Sequence, residues 1–246
     1  MNDLLQRILI IWNHPHPWSK LKFALKDKFF GKLWCMQRSI SSQKAIKEIT
    51  GKIPEKTFKE KFSKEFKKAK ATAETAPVKM GGEGSLDLIY FLSKSINPTK
   101  IVETGVAYGW SSLAFLLSLK DKRQGLLIST DLPYSNETAP YAGCVVPQKL
   151  KSKWNFIQKS DKEALPEIAS NVDKIDICHY NSDKSYEGRM FAYPILWKML
   201  RDGGIFISDD IGDNFAFRDF AKSQNTNIFV VRDSYKYVGV LIKDIK

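Results

Sequence analysis

From residue 85 to the end of the chain, apolar positions switch regularly between two periods. The runs at 100–104 (KIVET), 126–131 (LLISTD), 154–158 (WNFIQ), 175–180 (IDICHY) and 205–209 (IFISD) are short, rich in aliphatic residues and bounded by turn formers, the pattern of buried strands. Between and around them, 85–96, 110–120, 145–152, 162–170, 186–200 and 214–223 carry apolar residues at helical spacing. Two closing runs, 227–232 and 236–242, flank Asp233-Ser234-Tyr235 and predict a hairpin that adds an antiparallel strand at one edge. This alternation predicts an α/β fold, doubly wound, with a mainly parallel seven-stranded sheet covered by helices on both faces.

The first 80 residues have a different pattern, and the chain divides into a basic helical N-terminal extension (1–80) and an α/β domain (81–246). In 18–34, Trp18, Leu21, Leu25, Phe29 and Leu33 keep helical spacing with lysines between them, a basic amphipathic helix. Such a helix suits peripheral contact with an anionic membrane, and it equally suits packing on its own domain or on a partner subunit of a homo-oligomer. A second helix is expected after Pro54, where Phe58, Phe62 and Phe66 recur every four residues. Residues 75–85 form a small-residue linker containing Glu83 and Gly84.

Charge sharpens this division. The net charge is +12, and residues 1–80 hold 18 basic against 7 acidic side chains while 81–246 hold 21 against 20. The domain itself is near neutral, so a nucleic-acid partner is not expected. Cys35, Cys144 and Cys178 are odd in number and in no metal-binding spacing, which fits a reducing compartment. The apolar run near Leu4 to Trp12 is interrupted by Arg7 and followed by no small-residue cleavage site. A cytoplasmic location without a cleaved signal is the expectation.

In a doubly wound sheet, ligands bind at the carboxyl ends of the strands. The first strand ends in Glu103-Thr104-Gly105-Val106-Ala107-Tyr108-Gly109, where two glycines free the backbone to turn into a helix start that can lie against an adenosyl ligand. The second ends in Asp131, whose carboxylate can accept both hydrogen bonds of a ribose diol. The third is followed by Ser160-Asp161, able to meet an adenine edge, with Ser160 equally suited to cap a helix. His179 lies on the fourth strand and reads as a core histidine. The connection from Pro133 to Pro147, with Tyr134, Asn136 and Tyr141, is long enough to serve acceptor recognition, with Tyr186, Arg189 and Asn214 on the same rim.

With the E-x-G-x-x-x-G turn, Asn181-Ser182-Asp183-Lys184-Ser185-Tyr186-Glu187 and Gly203-Gly204-Ile205-Phe206-Ile207-Ser208-Asp209-Asp210, residues from about 80 onward resemble class I S-adenosylmethionine-dependent methyltransferases, which are Rossmann-like. The look-alikes are the catechol and caffeoyl-CoA O-methyltransferases and the branch containing macrolide-sugar O-methyltransferases. The resemblance implies that Glu103, Gly105, Gly109, Asp131, Ser160 and Asp161, with Glu83 ahead of the first domain helix, hold S-adenosylmethionine. It further implies a divalent cation such as Mg²⁺ at Asn181, Asp209 and Asp210, where Asn181 departs from the usual aspartate and removes one negative charge. Asp209 and Asp210 could instead cap the following helix. Lys184 stands at the place of a general base, or pairs at the surface with Asp183 or Glu187. The implied activity is O-methylation of a sugar, glycan-like or other small acceptor. N-methylation of an amine and a non-catalytic binding module are the alternatives.

Overall fold

A computed structural model describes residues 17–77, 79–132, 135, 137–234 and 236–244, with only the helical backbone for 17–26. The apolar run 4–12, Tyr134, Asn136, Tyr235 and the side chains of Trp18, Leu21 and Leu25 lie outside the described residues. The strands are β1 (Ser39–Ser41), β2 (Lys100–Thr104), β3 (Leu126–Thr130), β4 (Trp154–Ile157), β5 (Ile175–Tyr180), β6 (Leu200–Ser208), β7 (Ile228–Asp233) and β8 (Lys236–Ile242). The helices are α1 (Pro17–Arg38), α2 (Ser42–Thr50), α3 (Phe58–Lys61), α4 (Ser63–Glu74), α5 (Leu86–Ile96), α6 (Trp110–Leu119), α7 (Asp161–Asn171), α8 (Tyr186–Met199) and α9 (Ala216–Ser223). Two turns of tighter helix, Ala139–Tyr141 and Gln148–Lys153, occupy the connection into β4, the latter where a helix at 145–152 was expected.

The eight strands are ordered β1-β7-β8-β6-β5-β2-β3-β4. All pair in parallel except β8, which runs antiparallel to both β6 and β7. The sheet therefore has one strand more than the pattern predicts, and the antiparallel strand is not at the edge. It is inserted between β6 and β7, and the outermost place beside β7 is taken by β1, from the N-terminal segment. Alternation along each strand feeds two cores. Ile101, Leu127, Ile177, Ile205 and Ile207 face a layer built on α5 and α6, and Val102, Ile128, Cys178 and Phe206 face α7, α8 and α9. Helix α6 is buried on all sides except at Ser111, which explains its apolar run Leu113-Ala114-Phe115-Leu116-Leu117.

The N-terminal segment is built into the domain. Thr57 caps α3 through a capping box with Glu60, and the chain kinks at Phe62 so that one helix becomes two. Phe58, fully buried, and Phe62 pack on Tyr90 of α5 with ring centroids 5.7 and 5.0 Å apart. The Phe58 amide donates to Asp87 at 2.5 Å. Helix α1 uses a face different from the predicted stripe: Gly31, Trp34 and Cys35 turn inward, whereas Phe29 is 65% exposed. A Cβ at Gly31 would lie 2.9 Å from the Gly212 carbonyl oxygen, so glycine is what lets the helix approach that turn. Among the described residues no helix is long and apolar enough to cross a membrane.

Because Phe58 shares the core of α5, Phe58→Ala should lower the stability of the whole domain by about 3–5 kcal/mol in urea unfolding, in one cooperative transition. A separate early transition confined to the helical segment would contradict this.

Candidate active site

The glycine turn after β2 is held from three sides. Gly105 has φ +79°, and a Cβ there would sit on the Asn181 carbonyl oxygen at the end of β5, so two strand ends cross here at backbone contact. The Val106 and Ala107 amides both donate to Asp131 Oδ2, at 3.0 and 2.7 Å. Gly109 has φ +90°, and a Cβ on it would meet Gly143 at 2.9 Å. The Gly143 amide donates to the Ala107 carbonyl at 2.8 Å, and the Val145 amide to the Tyr108 carbonyl at 3.1 Å. The long connection thus folds back onto the turn rather than away from it.

Beneath the turn, Glu103 is fully buried and directed inward. Its Oε2 accepts from Ser112 at 2.5 Å and Ser129 at 2.8 Å, and its Oε1 lies 3.4 Å from His179 Nδ1. Among the described residues neither Oε1 nor Nδ1 has another polar partner. His179 Nε2 lies 3.3 Å from Asp209 Oδ1. The result is a carboxylate–imidazole–carboxylate line with the ring fully buried. Burial, the strongest single influence, pulls the imidazolium down, but Asp209 and then Glu103 outweigh it, and His179 is raised from 6.5 to about 9. Asp209, raised by burial but lowered by the His179 bond and charge, ends below the ordinary aspartate value.

The strand ends to one side carry two partly buried carboxylates. Asp131 and Asp161 are partly buried, and burial raises both above the usual aspartate value, against the amides on Asp131 and Ser182 on Asp161. Ser182 Oγ donates to Asp161 and is 3.1 Å from Thr104 Oγ1. Among the described residues no ion pair reaches Asp131 or Asp161. A cradle of two uncompensated carboxylates beside a glycine turn fits a ligand bearing positive charge and hydroxyl donors. Ser160 fills one of its two expected roles. It caps α7 in a capping box, with its amide and hydroxyl on Glu163 Oε2 at 3.2 and 2.7 Å.

On the other side, Asp210 adopts a left-handed backbone, φ +52°. Lys184 Nζ is ion-paired with its Oδ2, and Lys236 Nζ lies 3.5 Å from its Oδ1. Asn214 Nδ2 donates to the Lys184 carbonyl at 2.8 Å, which fixes that loop. Arg189, expected on the rim, is instead buried: it donates to Tyr193, Ser208 and the carbonyls of Asp209 and Asp210 at 2.8–3.2 Å, clamping the end of β6. Tyr186 is exposed and bonds Asp219 at 3.3 Å. The three residues implied as cation ligands do not fit a divalent ion in this arrangement. Asp209 faces His179, Asp210 already faces two ammonium groups, and Asn181 brings no charge. Among the described residues no group of three or more His, Cys, Asp or Glu is placed to hold a metal ion.

Glu83 pairs with Lys59 at 2.5 Å in a polar recess of about 400 Å³ that also involves Ser42, Asp87, Asp233 and Lys236. Through Lys236 this recess adjoins Asp210. Lys236 carries no motif in the sequence; only the hairpin register, which opposes it to Asp233, brings it to the site.

Residues 102–211 match the family model of a methyltransferase domain, which spans β2 to β6 and the start of the turn after it. A search of curated proteins finds no match. Among solved structures, cofactor-bound Rv0187 from MTB superposes with a TM-score of 0.59 at 14% identity, over 74% of this chain and 91% of that one. The Bacillus cereus O-methyltransferase in complex with SAH gives 0.58 at 14%, over 82% and 96%. The O-methyltransferase TomG from Streptomyces achromogenes, involved in tomaymycin synthesis and in complex with SAM, gives 0.53 at 15%, over 73% and 89%. This chain has the class I methyltransferase fold, Rossmann-like and mainly parallel, and the match to the methyltransferase-domain model lies within it, over residues 102–211.

Two measurements check the geometry. Gly105→Ala should cost more than about 3 kcal/mol in urea unfolding, since both backbone strain and the Asn181 carbonyl oppose it. Gly51→Ala, at φ +73° with nothing within 4 Å, should cost only about 1 kcal/mol. For His179 the folded protein retains a proton that the unfolded chain releases near 6.5, so the stabilisation is complete below pH 6.5 and declines as pH rises through about 9. That contribution is on the order of 3 kcal/mol, and His179→Gln should flatten the stability–pH curve across this window.

Proposed function

We propose that this domain is an S-adenosylmethionine-dependent O-methyltransferase whose acceptor is a small polyhydroxylated molecule, a sugar or glycan-like compound. The observation that carries the reading is the cradle beside the glycine turn, where Asp131 and Asp161 are partly buried without a cationic partner among the described residues. S-adenosylmethionine held there would supply an electrophilic methyl group, with a neutral thioether as the leaving group. Gly105 and Gly109 keep the turn low, Asp131 orients a ribose, and Asp161 with Ser182 orients the base. Glu103 contributes from below, by fixing Ser112 at the start of α6.

Lys184 is the proposed general base. In its unprotonated form it accepts the hydroxyl proton as the acceptor oxygen takes the methyl group, and Asp210 stabilises the ammonium that results. The recess between Glu83, Asp87, Asp233 and Lys236 is the proposed acceptor site. Its lining alternates carboxylates, hydroxyls and lysines with little net charge, which suits a neutral polyol better than a phosphate ester.

Calorimetry with S-adenosylmethionine and with its demethylated product should show one site per chain. Asp131→Asn should weaken both by about 10- to 100-fold, as loss of a charged hydrogen-bond acceptor does. Lys184→Met should leave cofactor affinity unchanged while transfer of labelled methyl groups into a metabolite extract falls by about 100-fold or more. Absence of cofactor binding to the unmodified chain would instead favour a binding module that keeps only the fold.

A further inference from the structure

We infer that Lys184 and Lys236 together supply at Asp210 the positive charge that a divalent cation would otherwise bring, so that methyl transfer by this chain is metal-independent and Lys236 is a positioning residue for Lys184. The inference rests on the O-methyltransferase reading above and concerns the same strand ends.

Asp210 is fixed before any ligand arrives. Its left-handed backbone and the Arg189 Nη2 bond to its carbonyl, at 3.0 Å, set the direction of its side chain. Both carboxylate oxygens then face ammonium groups from separate elements. Lys184 comes from the β5–α8 loop onto Oδ2, and Lys236, the first residue of β8, comes from the hairpin to 3.5 Å from Oδ1. Asp209 itself is 5% exposed and engaged with His179. Asn181 supplies an amide where a third carboxylate would be needed to hold a hard dication. A dication entering this site would meet one carboxylate shared by two fixed positive charges, and would have to displace at least one of them.

The arrangement also divides the work. Lys236 reaches the Oδ1 side of Asp210 and Lys184 the Oδ2 side, so Asp210 keeps an ion-pair partner when Lys184 turns to the acceptor. In the transfer the acceptor oxygen–methyl bond forms as the sulfur–methyl bond breaks, the bonding pair stays on sulfur, and the hydroxyl proton ends on Lys184 Nζ. No metal-bound hydroxide is required to remove it.

Mn²⁺ titration followed by electron paramagnetic resonance, on the full chain with S-adenosylhomocysteine present, tests the inference without relying on turnover. The unmodified protein should leave the free Mn²⁺ signal unchanged up to millimolar concentrations, whereas the Asn181→Asp/Lys236→Met double variant should acquire a site. One Mn²⁺ per unmodified chain, abolished by Asp210→Asn, would overturn the inference, and so would a double variant that folds, by its melting profile, yet gains no site. In parallel, methyl transfer should be unchanged by EDTA. It should fall about 10- to 100-fold in Lys236→Met and stay within about threefold in Lys236→Arg, with cofactor affinity unaltered in both. If the unmodified chain fails to bind S-adenosylmethionine, the methyltransferase reading falls, while the Mn²⁺ titration still reports on Asp210 by itself.

Discussion

The buried line Glu103–His179–Asp209 is the constraint on which the carboxyl edge of this sheet depends. It ties β2 to β5 and to the end of β6, and through Ser129 and Ser112 it reaches β3 and the first turn of α6. Each carboxylate would be costly to bury alone. The imidazole ring between them turns one nitrogen to each carboxylate, and the hydroxyls of Ser112 and Ser129 donate to Glu103. What stands above is consequently rigid: the glycine turn, the Asn181 carbonyl and the reversed backbone of Asp210 are all anchored within one residue or two of this line.

The edge built on it is electrostatically divided. Toward β3 and β4 lie Asp131 and Asp161, carboxylates with no ion pair among the described residues, and toward β8 lies Asp210, paired with Lys184 and Lys236. In the proposed function the cationic methyl donor takes the first side and the acceptor hydroxyl the second. The long connection closes the arrangement from above, because Gly143 and Val145 are bonded to the backbone of the turn itself.

Much of this was legible in the sequence, and the exceptions have physical causes. The central strands announce themselves as short apolar runs ending in polar residues, and β2 through β6 lie within a residue or two of where the pattern puts them, apart from the early start of β6 at Leu200. Strand β1 does not announce itself, since Ser39-Ile40-Ser41 is short and polar and exists only because β7 offers an open edge. The place of β8 inside the sheet is likewise tertiary: at Gly239 the absent side chain makes room for the Phe217 ring, a fit that no period reveals. On α1, hydrophobicity pointed to one face, but close approach selected Gly31 and Cys35 instead. The candidate site follows the same rule. Asp131, Asp161, Lys184 and Asp210 could be named because strand ends collect them. The charge on His179 and the arrival of Lys236 could not, because each depends on partners dozens of residues away.

The pairing of β1 with β7 joins segments about 190 residues apart, Ser39 with Val230. It also makes completion of the sheet depend on strands that are synthesised after β6. While the chain is being made, β6 emerges before β7 and β8, and its flank stays open until β8 pairs with it. Strand β1 must likewise wait unpaired until β7 has been made. Non-local closure of this kind is slow and leaves the edge of the sheet exposed until it is complete.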